Sequence, residues 1–560
     1  MRSLRARLAD SGAAFAAVAR NRNLLWLELA WTGSIIGHYA YLVAVSVYAY
    51  GVGGEEAVGL IFLARLIPAA LAAPFAGLLG DRYRRERVLL LTNLARIILV
   101  GSAAAGVFLD APPVVIYVLA VAATIVTTPF RSAQAALTPT LARSPTELTA
   151  ANAVASGVDS LALFIGPAIA GLLLAVASTG LVFTLTAALL ALSVICILLI
   201  RVGPTERPKG EVEASTIMSE ALAGFRAIGS HPSLRVMIGL IAAQTAVAGA
   251  VQVYIVVASV ELFGFGTEGV GFLNSSIGVG AFIGAVAALS LTGARRLSPA
   301  FMAGIALWGL PLIALGFWPE ALAALILFGV IGIGNSISSV AGLTLVQRAV
   351  PDEVLARVFG VIQMLLLASM GIGAALAPAL IGFLDVDGAL LVTGAFLPLL
   401  VILTWVQVSR IDAGAAAPEA HELRILGSVP IFAPLPGMTL EHLSGRLVPL
   451  RLEAGAEIVR EGDPGDRFYI VAEGTVEVSE YGRPIAELGP GGYFGEIALI
   501  RDVARTATVT TKTAAVLYAL DRDDFLAAVT SHAPSAEAAE EVVSSRLAGI
   551  PVGGARQPVA

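Results

Sequence analysis

The stretch FGEIALIRDVARTATV, Phe494 to Val509, carries the residue types of a small anion trap. Gly495 and Glu496 open what should be a short helical turn, and Arg505 and Thr506 follow shortly after it. A turn after Gly495 aims the backbone N–H groups of Ile497 and Ala498 at one anionic group, as helix N-termini do. The guanidinium of Arg505 is a planar, permanently charged fork that suits a phosphate. Glu496 cannot serve that phosphate. Its carboxylate suits a neutral hydroxyl such as a ribose 2′-OH. The ligand implied has one buried phosphate and a free ribose hydroxyl.

Such a trap needs a rigid frame. Upstream, LEAGAEIVREGDPGDRFYIVAEGTVEV (Leu452 to Val478) alternates apolar and polar residues between Gly, Asp and Pro turns, the pattern of short strands in an all-β barrel. With Gly455, Gly462, Gly465 and Gly474, this barrel resembles that of the cyclic-nucleotide-binding domains, and Phe494 to Thr506 resembles their phosphate-binding cassette. The resemblance implies a jelly-roll barrel with flanking helices over 421–550. It also implies that Phe494, Gly495, Glu496, Ile497, Ala498, Arg505 and Thr506 bind a regulatory cyclic nucleotide. The hydroxyl of Thr506 suits either the phosphate or a guanine amino group, so cyclic AMP and cyclic GMP both remain open, with cyclic AMP favoured. HELRILGSVPIFAPLPGMTLEHLSGRL resembles the helical lead-in of these domains, with Phe432 and Leu435 as core anchors. After the barrel come a helix, DRDDFLAAVTSHAP, and an amphipathic stretch, SAEAAEEVVSSRLAG, that would serve as a lid over the base.

The other three-quarters of the chain is of a different kind. Of 560 residues, 57% are hydrophobic and 14% charged, against about 25% charged in an ordinary globular protein, and mean hydropathy is +0.85. Apolar runs of ~20 residues recur from 24 to 409, long enough to cross a bilayer as helices. The fold class expected is a polytopic α-helical membrane protein of twelve spans in two six-helix bundles, followed by the cytosolic barrel. Residues 1–23 read as a basic amphipathic helix on the membrane surface, 24–201 as the first bundle, 202–234 as a cytosolic central loop and 235–409 as the second bundle. Residues 410–420 read as a linker and 551–560 as a disordered tail. A single cysteine, Cys196, excludes a disulfide framework or a cysteine metal site. No catalytic constellation, P-loop or metal cluster is present, and nothing suggests nucleic acid. Lysine occurs only as Lys209 and Lys512 against many arginines, which suggests a GC-rich bacterial source.

The loops orient the spans. Arg82, Arg84, Arg85, Arg87, Arg143, Arg201, Arg207, Lys209, Arg295, Arg296 and Arg348 fall on one side. Glu55, Glu56, Asp110, Glu268, Glu320, Asp385 and Asp387 fall on the other. The positive-inside rule puts the first side, and both termini, in the cytosol of a bacterial plasma membrane. Two bundles joined by such a loop resemble the major facilitator superfamily. GLLGDRYRRER, with Gly77, Asp81, Arg82 and Arg85, matches that family's loop between spans two and three, although Arg84 replaces its second glycine. The resemblance implies a conformational latch in which Asp81 faces the helix N-terminus near Asp352–Leu355, where partial positive charge favours a carboxylate. The stretch from Arg131 to Leu174, with GFRAIGSHPSLR, is similar to the enterobactin-exporter-like branch. Gly157, Gly166-Pro167 and Gly171 are a worn form of the antiporter motif and point to export.

Charges within spans are costly and so mark function or pairing. Arg65 is the deepest and the candidate for holding an anionic or polar group. Asp159 suits either proton coupling or an ion pair with Arg96. Glu28 is the second acidic candidate for proton coupling, but it lies near a span end, which favours a structural role. His38 either titrates near neutrality or packs as a neutral ring. Gln244, Gln252, Asn274, Asn335 and Gln363 are candidates to line a polar cavity. The function expected is a gradient-driven, non-enzymatic transporter, an exporter of an unidentified small molecule, with protons as candidate coupling ion and cyclic nucleotide as regulator. The alternatives are a receptor with a transporter fold that moves no substrate, and a transporter whose barrel is a structural remnant.

Overall fold

The computed structural model describes residues 18–143, 145–201, 225–226, 228–229, 232–288, 296–350, 352–414, 420–435, 437–530, 532–547 and 555–556. Most of the surface helix expected at 1–23, most of the central loop, half of GARRLS at 293–298 and most of the tail lie outside these residues. Two compact units form, Met1–Asp412 and Ala413–Ala560.

The first unit is helical because its sequence is apolar on all sides. A backbone placed in hydrocarbon must satisfy its hydrogen bonds internally. Among the described residues, ten helices are long and apolar enough to cross a membrane: α1 Arg22–Arg82, α2 Arg85–Phe108, α3 Pro113–Leu141, α4 Pro145–Val176, α5 Thr179–Leu199, α6 Pro232–Val257, α7 Glu268–Ala288, α8 Ser298–Phe317, α9 Ala321–Ala349 and α10 Asp352–Gly414. A π-helical turn, Ala258–Leu262, extends α6. Twelve spans were the expectation and ten helices are found, because α1 and α10 each continue through a point predicted to be a loop. Their apolar lengths of 52 and 53 residues correspond to about 80 Å, more than twice a ~30 Å hydrocarbon core. Each is broken once, α1 at Gly53 and Gly54 (φ 62°) and α10 at Asp385 (φ 57°). Elsewhere glycine serves close packing. A Cβ on Gly271 of α7 would lie 2.5 Å from the backbone nitrogen of Gly171 on α4.

The second unit begins with α11 Ala420–Ser428 and α12 Gly437–Arg446. Strands β1 Val448–Leu452, β2 Glu457–Val459, β3 Arg467–Glu473, β4 Val476–Glu480, β5 Arg483–Leu488 and β6 Tyr493–Phe494 follow. Then come α13 Glu496–Arg501, β7 Thr508–Thr511, β8 Ala515–Asp521, α14 Arg522–Thr530, α15 Ala533–Leu547 and β9 Ala555–Arg556. The antiparallel strands make two sheets, ordered β1-β8-β3-β6 and β2-β7-β4-β5-β9. Alternation along β3 divides the core, since successive side chains point to opposite faces. Tyr469 and Val471 pack between the sheets with Phe494 and Leu517. Phe468 and Ile470 pack outward with Phe525 and the expected anchors Phe432 and Leu435, and Phe468 stacks on Phe525 at 4.8 Å. This two-faced burial holds the rim on which the cassette sits. Within the stretch expected to be a disordered tail, β9 pairs with β5.

Candidate functional site

The cassette begins where β6 ends. Gly495 has φ 94°, and a Cβ there would lie 2.7 Å from Arg505 Nη1 and 2.9 Å from the Arg467 carbonyl oxygen. Glycine therefore serves both the left-handed turn and the approach of the guanidinium. The six-residue α13 follows and ends at Asp502 in the left-handed region. Of the residues assigned to the trap, Phe494, Glu496 and Ala498 are buried, Gly495 and Ile497 are half-buried, and Thr506 is exposed.

Arg505 is 4% exposed. Its Nη2 donates to Asp466 Oδ1 and to the Arg467 carbonyl, each at 2.9 Å, and its Nη1 donates to the Gly495 carbonyl at 3.4 Å. Its guanidinium carbon sits 5.8 Å from the centre of the Tyr469 ring. Glu496 is 1% exposed. Its Oε1 accepts from Arg546 Nη1 at 2.8 Å, and its Oε2 has no hydrogen-bond partner among the described residues. Burial pushes its carboxyl above the ordinary value of 4.5, and the Arg546 charge partly offsets this. Arg546 also donates to the Tyr493 carbonyl at 2.9 Å and lies 4.5 Å from the centre of the Tyr493 ring. The fork thus has an internal anion in Asp466, and the hydroxyl acceptor has an internal cation in Arg546. Both partners escaped the sequence reading. Asp466 sits in a turn dense in acidic residues. Arg546 lies in the stretch expected to be a lid, which folds as α15 and contacts α13 through this ion pair.

In the helical unit the candidates fall into separate environments. Arg65, 2% exposed, donates from Nε to Thr124 Oγ1 at 2.9 Å and stacks over the rings of Tyr41 and Phe62. Its Nη1 has no partner among the described residues. Asp159 and Arg96 do not pair with each other, which corrects the expected ion pair. Asp159 accepts from Trp31 Nε1 at 2.8 Å and from Arg131 Nη2 at 3.2 Å. Arg96 donates to Ser34 Oγ at 2.6 Å and to Asn93 Oδ1 at 3.1 Å. Both carboxyl oxygens of buried Glu28 lack a partner among the described residues. His38 packs edge-on against Tyr39 and lines a void of about 10 Å³ with Tyr41 and Arg96. A larger cavity, about 270 Å³, lies among α1, α4, α6, α7, α8, α9 and α10. Gln244, Gln252, Asn274 and Asn335 line it, whereas Gln363, Arg65 and Asp159 do not.

The profile of the Major Facilitator Superfamily matches residues 29–366, more than half of the 560. The chain belongs to the Major Facilitator Superfamily. Unlike a bare member of that superfamily, it also carries a cyclic nucleotide-binding domain, matched over 449–532. The superfamily fold is seen in a crystal structure of the nucleoside transporter NupG, 12% identical with TM-score 0.59, covering 69% of this chain and 99% of that one. It is seen again in a POT family transporter complexed with a thioalcohol-conjugated peptide, 14% identical with TM-score 0.58, covering 70% and 96%. These likenesses concern fold alone. The C-terminal domain is 45% identical over 91 residues to a cAMP-dependent protein kinase regulatory subunit from Dictyostelium discoideum, covering 15% of this chain and 28% of that one. It is 32% identical over 168 residues to a cyclic nucleotide-gated potassium channel from Rhizobium etli, covering 28% and 47%. This superfamily member thus spans about a quarter to a half of the curated relatives it matches.

The residues expected to form a latch are only partly among those described. α1 runs helically through Gly77, Asp81 and Arg82, but their side chains, and those of Asp352–Leu355, lie outside the described residues. Arg85 donates to the Ala136 carbonyl at 2.8 Å, tying the start of α2 to α3, and Arg84 pairs with Glu86.

Proposed function

We propose that the protein is a secondary active transporter, an exporter of a small molecule, whose flux is tuned by cyclic AMP bound to its C-terminal domain. In this reading α1 and α10 each cross the bilayer twice, making twelve spans, and both termini lie in the cytosol of a bacterial plasma membrane. A gradient, with protons as the candidate ion, drives transport, and no catalysis is involved. The observation that carries regulation is the cassette. Arg505 and Glu496, 4% and 1% exposed, flank one left-handed glycine, and each is held by an exchangeable ion partner. A cyclic phosphate would compete with Asp466 for Arg505, and a ribose hydroxyl would compete with Arg546 for Glu496. Two matched relatives are named for cyclic AMP dependence and for cyclic nucleotide gating, which supports the ligand class.

Calorimetry on the full-length protein in detergent tests this reading. Cyclic AMP should bind, more tightly than cyclic GMP. Arg505→Ala should weaken binding about ten- to a hundredfold, the ~1.5–3 kcal/mol of a hydrogen bond to a charged group. No heat with either nucleotide, from protein that melts cooperatively, would sink the regulatory reading. In proteoliposomes, nucleotide should change the rate of flux in the native protein and leave that of Arg505→Ala unchanged.

A further inference from the structure

The cavity of about 270 Å³ in the helical unit has an unusual lining for one set among so many buried charges. Among the described residues, no Asp, Glu, Lys, Arg or His contributes to it. Arg65 and Arg96 are enclosed elsewhere, and Asp159 is engaged by Trp31 and Arg131. Its polarity comes mainly from carboxamides, with the hydroxyls of Tyr39, Ser46 and Thr245 beside them. Gln244, Gln252, Asn274 and Asn335 face it from α6, α7 and α9, all in the C-terminal half, while most of the surface contributed by α1 and α4 is apolar.

The hydrogen-bond inventory narrows what fits. Gln244 spends an N–H on Ser338 Oγ at 2.9 Å, and Asn274 spends one on the Val270 carbonyl at 2.9 Å. Each keeps its amide oxygen as an acceptor. Trp308, 6% exposed, presents an indole N–H with no partner among the described residues. Trp308 also lines the cavity, and an occupant whose acceptor reached this buried donor would relieve the cost of leaving it unmade. A charged occupant would lose its hydration here and find no counter-ion. An uncharged one bearing both donors and acceptors, with an apolar or aromatic face toward α1 and α4, satisfies every group. The volume of about 270 Å³ falls just short of the roughly 300–1,000 Å³ of small-molecule sites, which restricts it to small occupants.

Building on the transporter reading, we propose that this cavity selects small uncharged solutes that carry hydrogen-bond donors and acceptors on one side and an apolar face on the other. Gln252, Asn335 and Trp308 are the specificity-determining contacts.

Two probe sets, each similar in shape but differing in charge, test this with the full-length protein. One is nicotinamide, nicotinate and 1-methylnicotinamide. The other is phenyl β-glucoside, phenyl β-glucuronide and phenyl β-glucosaminide. Equilibrium binding in detergent should favour the neutral member over both charged counterparts by at least about tenfold in one set. Trp308→Phe or Gln252→Leu should each weaken it about threefold or more, consistent with loss of one neutral hydrogen bond. Equal or tighter binding of a charged member overturns the proposal, and so does binding of no member. Neutral binding untouched by both variants places the site elsewhere and overturns it too. The charge preference of the native protein needs no variant, so a misfolded Trp308→Phe leaves the test intact. Flux in proteoliposomes separates the two readings. Neutral binding without flux keeps the solute class and sinks the transporter, whereas flux of a charged probe keeps the transporter and overturns the class.

Discussion

At the scale of single residues, the cassette is an arrangement of charges held by other charges. Glu496 is an almost fully buried carboxyl with one oxygen on Arg546 and one without a partner among the described residues. Removing one partner of a buried pair leaves an uncompensated charge, typically ~3–5 kcal/mol. The Arg546 side chain is 23% exposed, so Arg546→Ala should cost the excised unit 413–560 less, about 1–3 kcal/mol near neutral pH. The pH dependence has a definite sign. Burial raises the folded-state pKa of Glu496 above its ordinary 4.5, so its contribution to stability is fully present below that value. It is lost as pH rises through the folded pKa. Without Arg546 the folded pKa rises further, and the loss deepens and extends to higher pH. Thermal melts should show the variant approaching the native unit at acid pH and falling below it toward neutrality; a gap that stays constant with pH would place the ion pair outside the stability of the fold.

At the scale of elements, small residues decide where helices can touch. Gly271 of α7 meets Gly171 of α4 so closely that a Cβ on Gly271 would lie 2.5 Å from the Gly171 backbone nitrogen, whereas a Cβ on Gly157 would meet nothing within 4 Å. Both Gly157 and Gly171 belong to the worn antiporter motif on one helix. Gly271→Ala should overpack the α4–α7 seam and destabilise the purified protein by about 1–3 kcal/mol. Gly157→Ala should be neutral or slightly stabilising, since alanine is the better helix former. Detergent melting temperatures of the two variants give the comparison, and equal shifts would remove the packing explanation of the motif.

At the scale of the whole molecule, the halves of the helical unit are tied, among the described residues, by polar contacts that include Ser275 Oγ to the Phe164 carbonyl at 3.1 Å. Tyr50, at the end of the first stretch of α1, donates to Glu261 Oε1 at 2.5 Å across 211 residues of sequence. Its acceptor sits in the π-helical turn, a feature common at functional sites. Breaking a hydrogen bond to a charged group at a half-exposed position should shift the balance between closed and open forms by about 1 kcal/mol, roughly fivefold. Tyr50→Phe should therefore raise the labelling rate of a cysteine placed at Gln252 by an impermeant maleimide about fivefold; an unchanged rate would mean that this contact does not hold the cavity shut. The sequence by itself determined the two-part organisation and the barrel strands, and it singled out Gly495, Glu496 and Arg505 as candidates for the cassette. Hydropathy, alternation and turn chemistry are local properties. Resemblance to the helical lead-in of nucleotide-binding domains placed Phe432 and Leu435 in a core, where they are found. Only the tertiary structure decided which charges meet. Arg546 reaches Glu496 across 50 residues and Asp466 reaches Arg505 across 39. Trp31 reaches Asp159 across 128, in place of the Arg96 that depth in the membrane had suggested. Depth and spacing rank candidates for a partner, but a side chain pairs with whatever the packing brings within 3 Å, and that is a property of the assembled helices alone.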